Sequence, residues 1–170
     1  MKTFLSLILI SLLPVFAFSQ KQKIKKANQD TQAWRYELEN LQTGTAGTCL
    51  VKVWSYSKKP TVAAAQACKN AVHGAIFKGI PAQGRIPGKR PLVANASAES
   101  EHADFFKKFF ADGGDFMRYV VLSNHGAIQA GDVMKIGKEY KVGITVTINY
   151  NDLRKALEEA GVIKKLGAGF

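Results

Sequence analysis

Apolar and charged residues alternate through WRYELENL, residues 34–41, with Trp34, Tyr36 and Leu38 on one face and Arg35, Glu37 and Glu39 on the other. A period of two marks a strand with one buried side. The turn formers of QTGTAGT follow, and CLVKVWSYS then alternates again, with Cys49, Val51 and Val53 on one face. Two such runs around a short loop predict an antiparallel hairpin. The period changes at Pro60-Thr61, where Ala64, Ala65, Cys68, Ala71, Val72, Ala75 and Ile76 form one helical stripe and Gln66, Lys69, Asn70 and His73 face away. The alanines predict a flat helix face able to lie close to a sheet, ended by Gly79 and Pro81.

A second helix is expected over ESEHADFFKKFFAD, with Ser97 or Ser100 as its cap. Glu99, Glu101 and Asp104 stand at its positive end and Lys107-Lys108 further along, as the helix dipole favours. Phe105, Phe106, Phe109 and Phe110 supply its aromatic face, and Gly113-Gly114 stop it. Three strand candidates follow: FMRYVVLS, GAIQAGDVMKIG and EYKVGITVTINY, the last two joined by a tight turn at Gly137-Lys138. Asn151 or Asp152 then caps a final helix with Leu153, Leu157 and Ala160 inward. Strands at both ends with helices between them predict an α+β fold in two layers. A mixed or antiparallel sheet of about five strands carries two to three helices on one face.

The start of the chain is organised differently. Lys2 precedes an almost wholly apolar run from Phe4 to Phe18, and Ala17-Phe18-Ser19 supplies small residues at the spacing of a cleavage site. That is the pattern of a secretory signal peptide over residues 1–19, shorter than the roughly 20 apolar residues a membrane span needs. Residues 20–32, with Lys21, Lys23, Lys25 and Lys26, read as a basic flexible leader, and residues 33–170 as one domain. Export permits disulfides, and Cys49 and Cys68 are the two cysteines. Measured from the turn near Pro60, however, Cys49 lies much further back along a strand, at ~3.3 Å per residue, than Cys68 lies along a helix, at ~1.5 Å per residue. The expectation is two free, buried thiols.

The formal charge is +11. Inside a cell that would suggest nucleic acid; beyond the inner membrane the abundant polyanions are lipid headgroups and acidic glycans. The charge is densest in a long loop, residues 79–98, and at its entry, where Lys78, Arg85, Lys89 and Arg90 are interspersed with glycine and proline and no acid intervenes. These four residues are the candidate anion- or partner-binding set. A phosphate loop would need glycine amides aimed from a helix N-terminus after a strand, and nucleic-acid modules interleave aromatics for stacking; neither pattern is present. The loop therefore reads either as an arm for an acidic partner or anionic surface, or as a solvated loop.

No catalytic signature such as GxSxG, HExxH or a Walker sequence occurs. His102 could share a helix face with Glu99, which is half a metal site at best, and acids in a first helical turn are explained by the dipole. His125 lies in a turn or bulge near Ser123, with no acid beside it in sequence. The residues point to no cofactor and no metal, and assign no catalytic group.

The stretch GTCLVKVWSYSKKPTVAAAQACKNAVHGAIF resembles the strand and alanine-rich helix of a small bacterial envelope domain. That domain occurs in envelope lipoproteins and at the N-terminus of a flagellar accessory protein. GAIQAGDVMKIGKEYKVGITVTI is similar to its closing hairpin, so the likeness runs over residues 34–150. The resemblance implies a non-catalytic building block of envelope assemblies. This chain departs from it in having no lipid-attachment cysteine and in carrying the basic loop. The expected function is thus an exported, periplasmic or outer-membrane-associated domain contributing to an envelope assembly through a protein partner. A binder of anionic glycan or lipid headgroups is the alternative, and a hydrolase with an unrecognised site the third.

Overall fold

A computed structural model describes residues 34–95 and 97–165. The expected signal peptide at 1–19 and the basic leader at 20–32 lie outside the described residues. Five strands form one antiparallel sheet: β1 (Tyr36–Thr43), β2 (Thr48–Ser57), β3 (Val120–Leu122), β4 (Val133–Ile136) and β5 (Glu139–Asn149). Their order is β1-β2-β5-β3, with β4 also on the outer side of β5. Four helices pack against the sheet: α1 (Pro60–His73), α2 (Ala98–Glu101), α3 (Ala103–Phe109) and α4 (Tyr150–Glu159). The fold is the expected two-layer α+β arrangement, and its sheet is antiparallel throughout.

The period-two runs place themselves as anticipated. Cys49, Val51 and Val53 of β2 and Val142, Ile144, Val146 and Ile148 of β5 are all buried beneath the helix layer. The register sets Val51 opposite Val146 and Val53 opposite Ile144, so the two strands share one apolar face. Leu153 and Leu157 of α4 close that core, while Ala160, expected inward, is exposed. The Gly137-Lys138 turn joins β4 to β5.

Helix α1 is rotated from the expected face. Gln66, Asn70 and His73 are buried, and Ala65 is exposed. The reason lies on the sheet, whose helix side also carries buried Asn40, Ser55 and Ser57. Asn70 Nδ2 donates to Ser55 Oγ at 2.8 Å, which ties a buried polar group of the helix to one of the sheet, while Asn70 Oδ1 and Asn40 Oδ1 have no hydrogen-bond partner among the described residues. Alanine tolerates either side, and this polar pairing decides the rotation. Contact is close: a Cβ on Gly74 would come 2.5 Å from Leu38 Cδ1.

Other departures have local causes. The single expected second helix is split at His102, whose ψ of 32° interrupts it. Ser97 precedes α2 without a side-chain cap bond; its hydroxyl goes to Glu101 instead. FMRYVVLS yields only three strand residues, because Asp115–Tyr119 forms a 3-10 turn that drives Phe116 into the core. The outer side of β5 is divided between β3 and β4, with turns at Ser123–Gly126 and Ala130–Asp132 between them. Cys49 and Cys68 are free thiols as expected, but only Cys49 is fully buried; Cys68 is half-buried. Burial raises both, Cys68 to about 11. No helix of the described residues is long and apolar enough to cross a membrane.

Candidate functional site

The basic stretch is an ordered hairpin pinned to the end of α1. The helix runs on through a widened π turn at Gly74–Lys78. Gly79 then reverses the chain with a φ of +78°, and a Cβ there would meet the Lys89 carbonyl at 2.5 Å. Only glycine is comfortable in that conformation and that space. Ile80 and Lys89 exchange both backbone hydrogen bonds at 2.8 Å, and Gln83 and Ile86 exchange theirs at 3.0 and 2.9 Å. The returning strand is tied down by Leu92 N–H to the Ala75 carbonyl and Val93 N–H to the Ile76 carbonyl. Leu92, Val93 and Ala98, at the end of the expected 79–98 loop, are buried.

The hairpin lies beside an unpaired sheet edge. Among the described residues β1 pairs with β2 alone. Lys78 Nζ sits 3.9 Å from the Tyr36 ring centroid and donates to the Trp34 carbonyl, which fixes one end of the hairpin at the start of β1. Asn40 Nδ2 donates to the Pro87 carbonyl at 3.1 Å, which fixes the other end further along the strand. Between them lies a shallow groove of about 320 Å³, lined by residues 36–38 of β1 and residues 78–81.

The four candidate cations do not converge on one pocket. Lys78 is held at Tyr36, whereas Lys89 Nζ lies 4.9 Å from the Tyr150 ring centroid. The Arg90 carbonyl accepts the Tyr150 hydroxyl at 2.7 Å, leaving the Arg90 side chain in solvent. Arg85 is exposed at the tip beside Gly84. Together they make a cationic ridge. Burial lowers the Lys78 ammonium from its ordinary range. None of the four makes an ion pair among the described residues.

The bare face of the sheet behaves differently. Lys141 pairs with Glu37 at 2.7 Å, Arg35 with Glu139 at 2.7 Å and Lys52 with Asp132 at 2.8 Å. The Tyr56 hydroxyl also donates to Glu37, whose carboxyl is held below its usual range by these two hydrogen bonds. Trp54 Nε1 donates to Glu39, and its ring lies across Gly143. Most charge on this face is matched by ion pairs, whereas the hairpin cations make none among the described residues.

His73 belongs to the helix layer, behind the groove. Its Nδ1 is 2.6 Å from the Tyr36 hydroxyl, and its ring stacks on Trp34 with centroids 3.4 Å apart. Nε2 has no hydrogen-bond partner; the nearest carboxylate oxygen, Glu99 Oε1, is 3.8 Å away. A lone pair facing a carboxylate would be repelled, so the proton belongs on Nε2 and the Tyr36 hydroxyl donates to Nδ1. Burial, helped by the Lys78 charge, brings the imidazole down to about 3. Burial and the Glu99 charge push the Tyr36 phenol up. Both rings are thus neutral structural groups at ordinary pH.

Glu99 therefore faces His73, not His102. No three His, Cys, Asp or Glu side chains gather to hold a metal ion among the described residues. Ser123 Oγ lies 3.4 Å from Thr147 Oγ1, and His125 is exposed in a turn with a φ of 54°. An exposed sheet edge was expected from the sequence as a contact surface beside the basic loop, but not which strand carries it; that, and the Tyr36–His73 pair, depend on contacts across the chain. One signal was available: no acid occurs from Asn40 to Ala98, against eight lysines and arginines. No protein-family model, curated protein or solved structure matches this chain.

Proposed function

We propose that this chain is an exported, non-enzymatic docking domain that contributes to a bacterial cell-envelope assembly, in the periplasm or at the outer membrane. It meets a protein partner through the free edge of β1 and the basic hairpin. One observation carries the reading: among the described residues, a sheet edge with no further strand on it runs beside an ordered hairpin whose cations make no ion pair. Exposed strand edges are normally covered or blunted, so an edge left open beside cations that make no ion pair favours an acidic partner over solvent. The leader pattern at residues 1–19 supplies the compartment, and the resemblance to envelope domains supplies the class of assembly.

The test is site-specific photo-crosslinking in intact cells, with the photoreactive residue at Gln83 on the hairpin tip and, as a control, at Lys107 on α3. The expected result is a discrete crosslink to an envelope protein from Gln83 and none from Lys107. Native chain recovered from the cytosol with residues 1–19 attached, or crosslinks from Lys107 alone, would overturn the reading.

A further inference from the structure

We infer that the partner presents an extended segment that adds to β1 as a further strand, with carboxylates on alternate residues turned toward the hairpin. This rests on the docking reading above and names the chemistry of the partner.

The geometry sets both halves of the pattern. Among the described residues no strand pairs with the outer edge of β1, and strand addition is a recurrent way to use such an edge. Successive residues of an added strand point to opposite faces of the sheet. On the helix side, next to Tyr36, Leu38 and Asn40, every second residue would meet the hairpin wall. Lys78 stands there at the groove and Arg85 is exposed at the tip, both without an ion pair among the described residues. On the bare side, the intervening residues would lie beside Glu37 and Glu39. A carboxylate there would be repelled by acids already engaged with Lys141 and Trp54. The fitting segment is therefore acidic on one face and uncharged or basic on the other. A polyanion lacking that alternation satisfies the ridge and offends β1.

Three features make the site receptive. The hairpin is fixed at both ends, through Lys78 to Trp34 and through Asn40 to Pro87, so the groove exists before a partner arrives. Lys78 is partly desolvated and its charge state is already penalised, which an arriving carboxylate would relieve. The sequence concentrates cations and excludes acids from Asn40 to Ala98, so the hairpin has no nearby sequence neighbour of opposite sign to fold back on it.

The experiment uses the full chain and blocked ten-residue peptides, read by fluorescence anisotropy. One peptide alternates threonine and glutamate; its isomer carries the same residues with the glutamates in adjacent pairs; a third is all glutamate. The expected order is alternating tightest, the isomer about three- to tenfold weaker, as a few misplaced surface charges imply. All-glutamate should be weaker than alternating despite its larger charge. N-methylating alternate amides of the alternating peptide should abolish binding, because strand pairing needs the N–H groups. Amide protection on adding the peptide should appear within residues 36–38. The variant Arg85→Ser, checked for folding by circular dichroism, should weaken the alternating peptide and flatten its salt dependence.

All-glutamate binding best would show a simple polyanion ridge and overturn the inference. So would binding to phosphatidylglycerol vesicles or heparin without binding to any peptide. A concentration-dependent dimer that protects residues 36–38 without peptide would assign the edge to a second copy instead. Should all peptides fail while the Gln83 crosslink to an envelope protein persists, the strand-addition inference falls and the docking reading stands.

Discussion

Acidification should destabilise this domain through His73 well above the range in which its carboxylates titrate. The imidazole is 3 % exposed, stacked on Trp34 and bonded to Tyr36, and burial brings it from 6.5 to about 3. Lys78 adds repulsion from one side, and the half-exposed Glu99 is too far to offset it. Because the folded value lies below the unfolded one, the unfolded chain binds a proton that the folded chain refuses. The contribution of His73 is therefore intact above pH 6.5 and is lost progressively as the pH falls from there toward 3. Each unit in that window costs about 1.4 kcal/mol, so about 2 kcal/mol is lost by pH 5. The assay is urea unfolding near pH 7.5 and near pH 5, for the native chain and for His73→Phe. Phenylalanine keeps the ring stack and cannot titrate. It costs stability at both pH values by leaving the Tyr36 hydroxyl unpaired, and that cost cancels in the difference between them. His73→Gln, which can still accept from Tyr36, serves as a second non-titrating variant. The native chain should lose about 2 kcal/mol between the two conditions, and either variant well under half of that. An equal loss in native chain and variants would show that His73 is not buried in this way.

Three further outcomes follow from packing. Gly79→Ala forces a positive φ on alanine and a Cβ onto the Lys89 carbonyl, and should cost at least about 1–2 kcal/mol in thermal or urea unfolding, with loss of amide protection at Ile80 and Lys89. Asn70→Ala removes the donor to Ser55 inside the helix–sheet seam and should destabilise by about 1–3 kcal/mol, whereas Lys155→Ala on the outer side of α4 should change stability by under about 0.5 kcal/mol. Cys49 and Cys68 should both react with a thiol reagent in the unfolded chain and slowly in the folded one, and a reductant should leave the melting temperature unchanged; a reductant-sensitive melt would mean that they pair.

What the sequence determined by itself was the order and type of the elements. The alternation in β2 and β5 is strong because each strand has one face on an apolar core and one in water, so composition records orientation residue by residue. The antiparallel pairing of β4 with β5 was equally plain, since a tight turn leaves no other way for the chain to return. Charge was legible as well: Lys78, Arg85, Lys89 and Arg90 were visible as an acid-free basic run. Tertiary structure alone decided three things. It chose the face of α1, because alanine is indifferent and the choice fell to Asn70 meeting Ser55 across the layer. It turned the basic run from an apparent loop into a hairpin, because its internal Ile80–Lys89 and Gln83–Ile86 pairs are anchored by bonds to Ala75, Ile76 and Asn40 in other elements. It also made β1 the strand whose outer edge, among the described residues, has no partner beside that hairpin. An edge is the absence of a neighbour, and local sequence encodes which face of a strand is apolar but not which side will lack a partner.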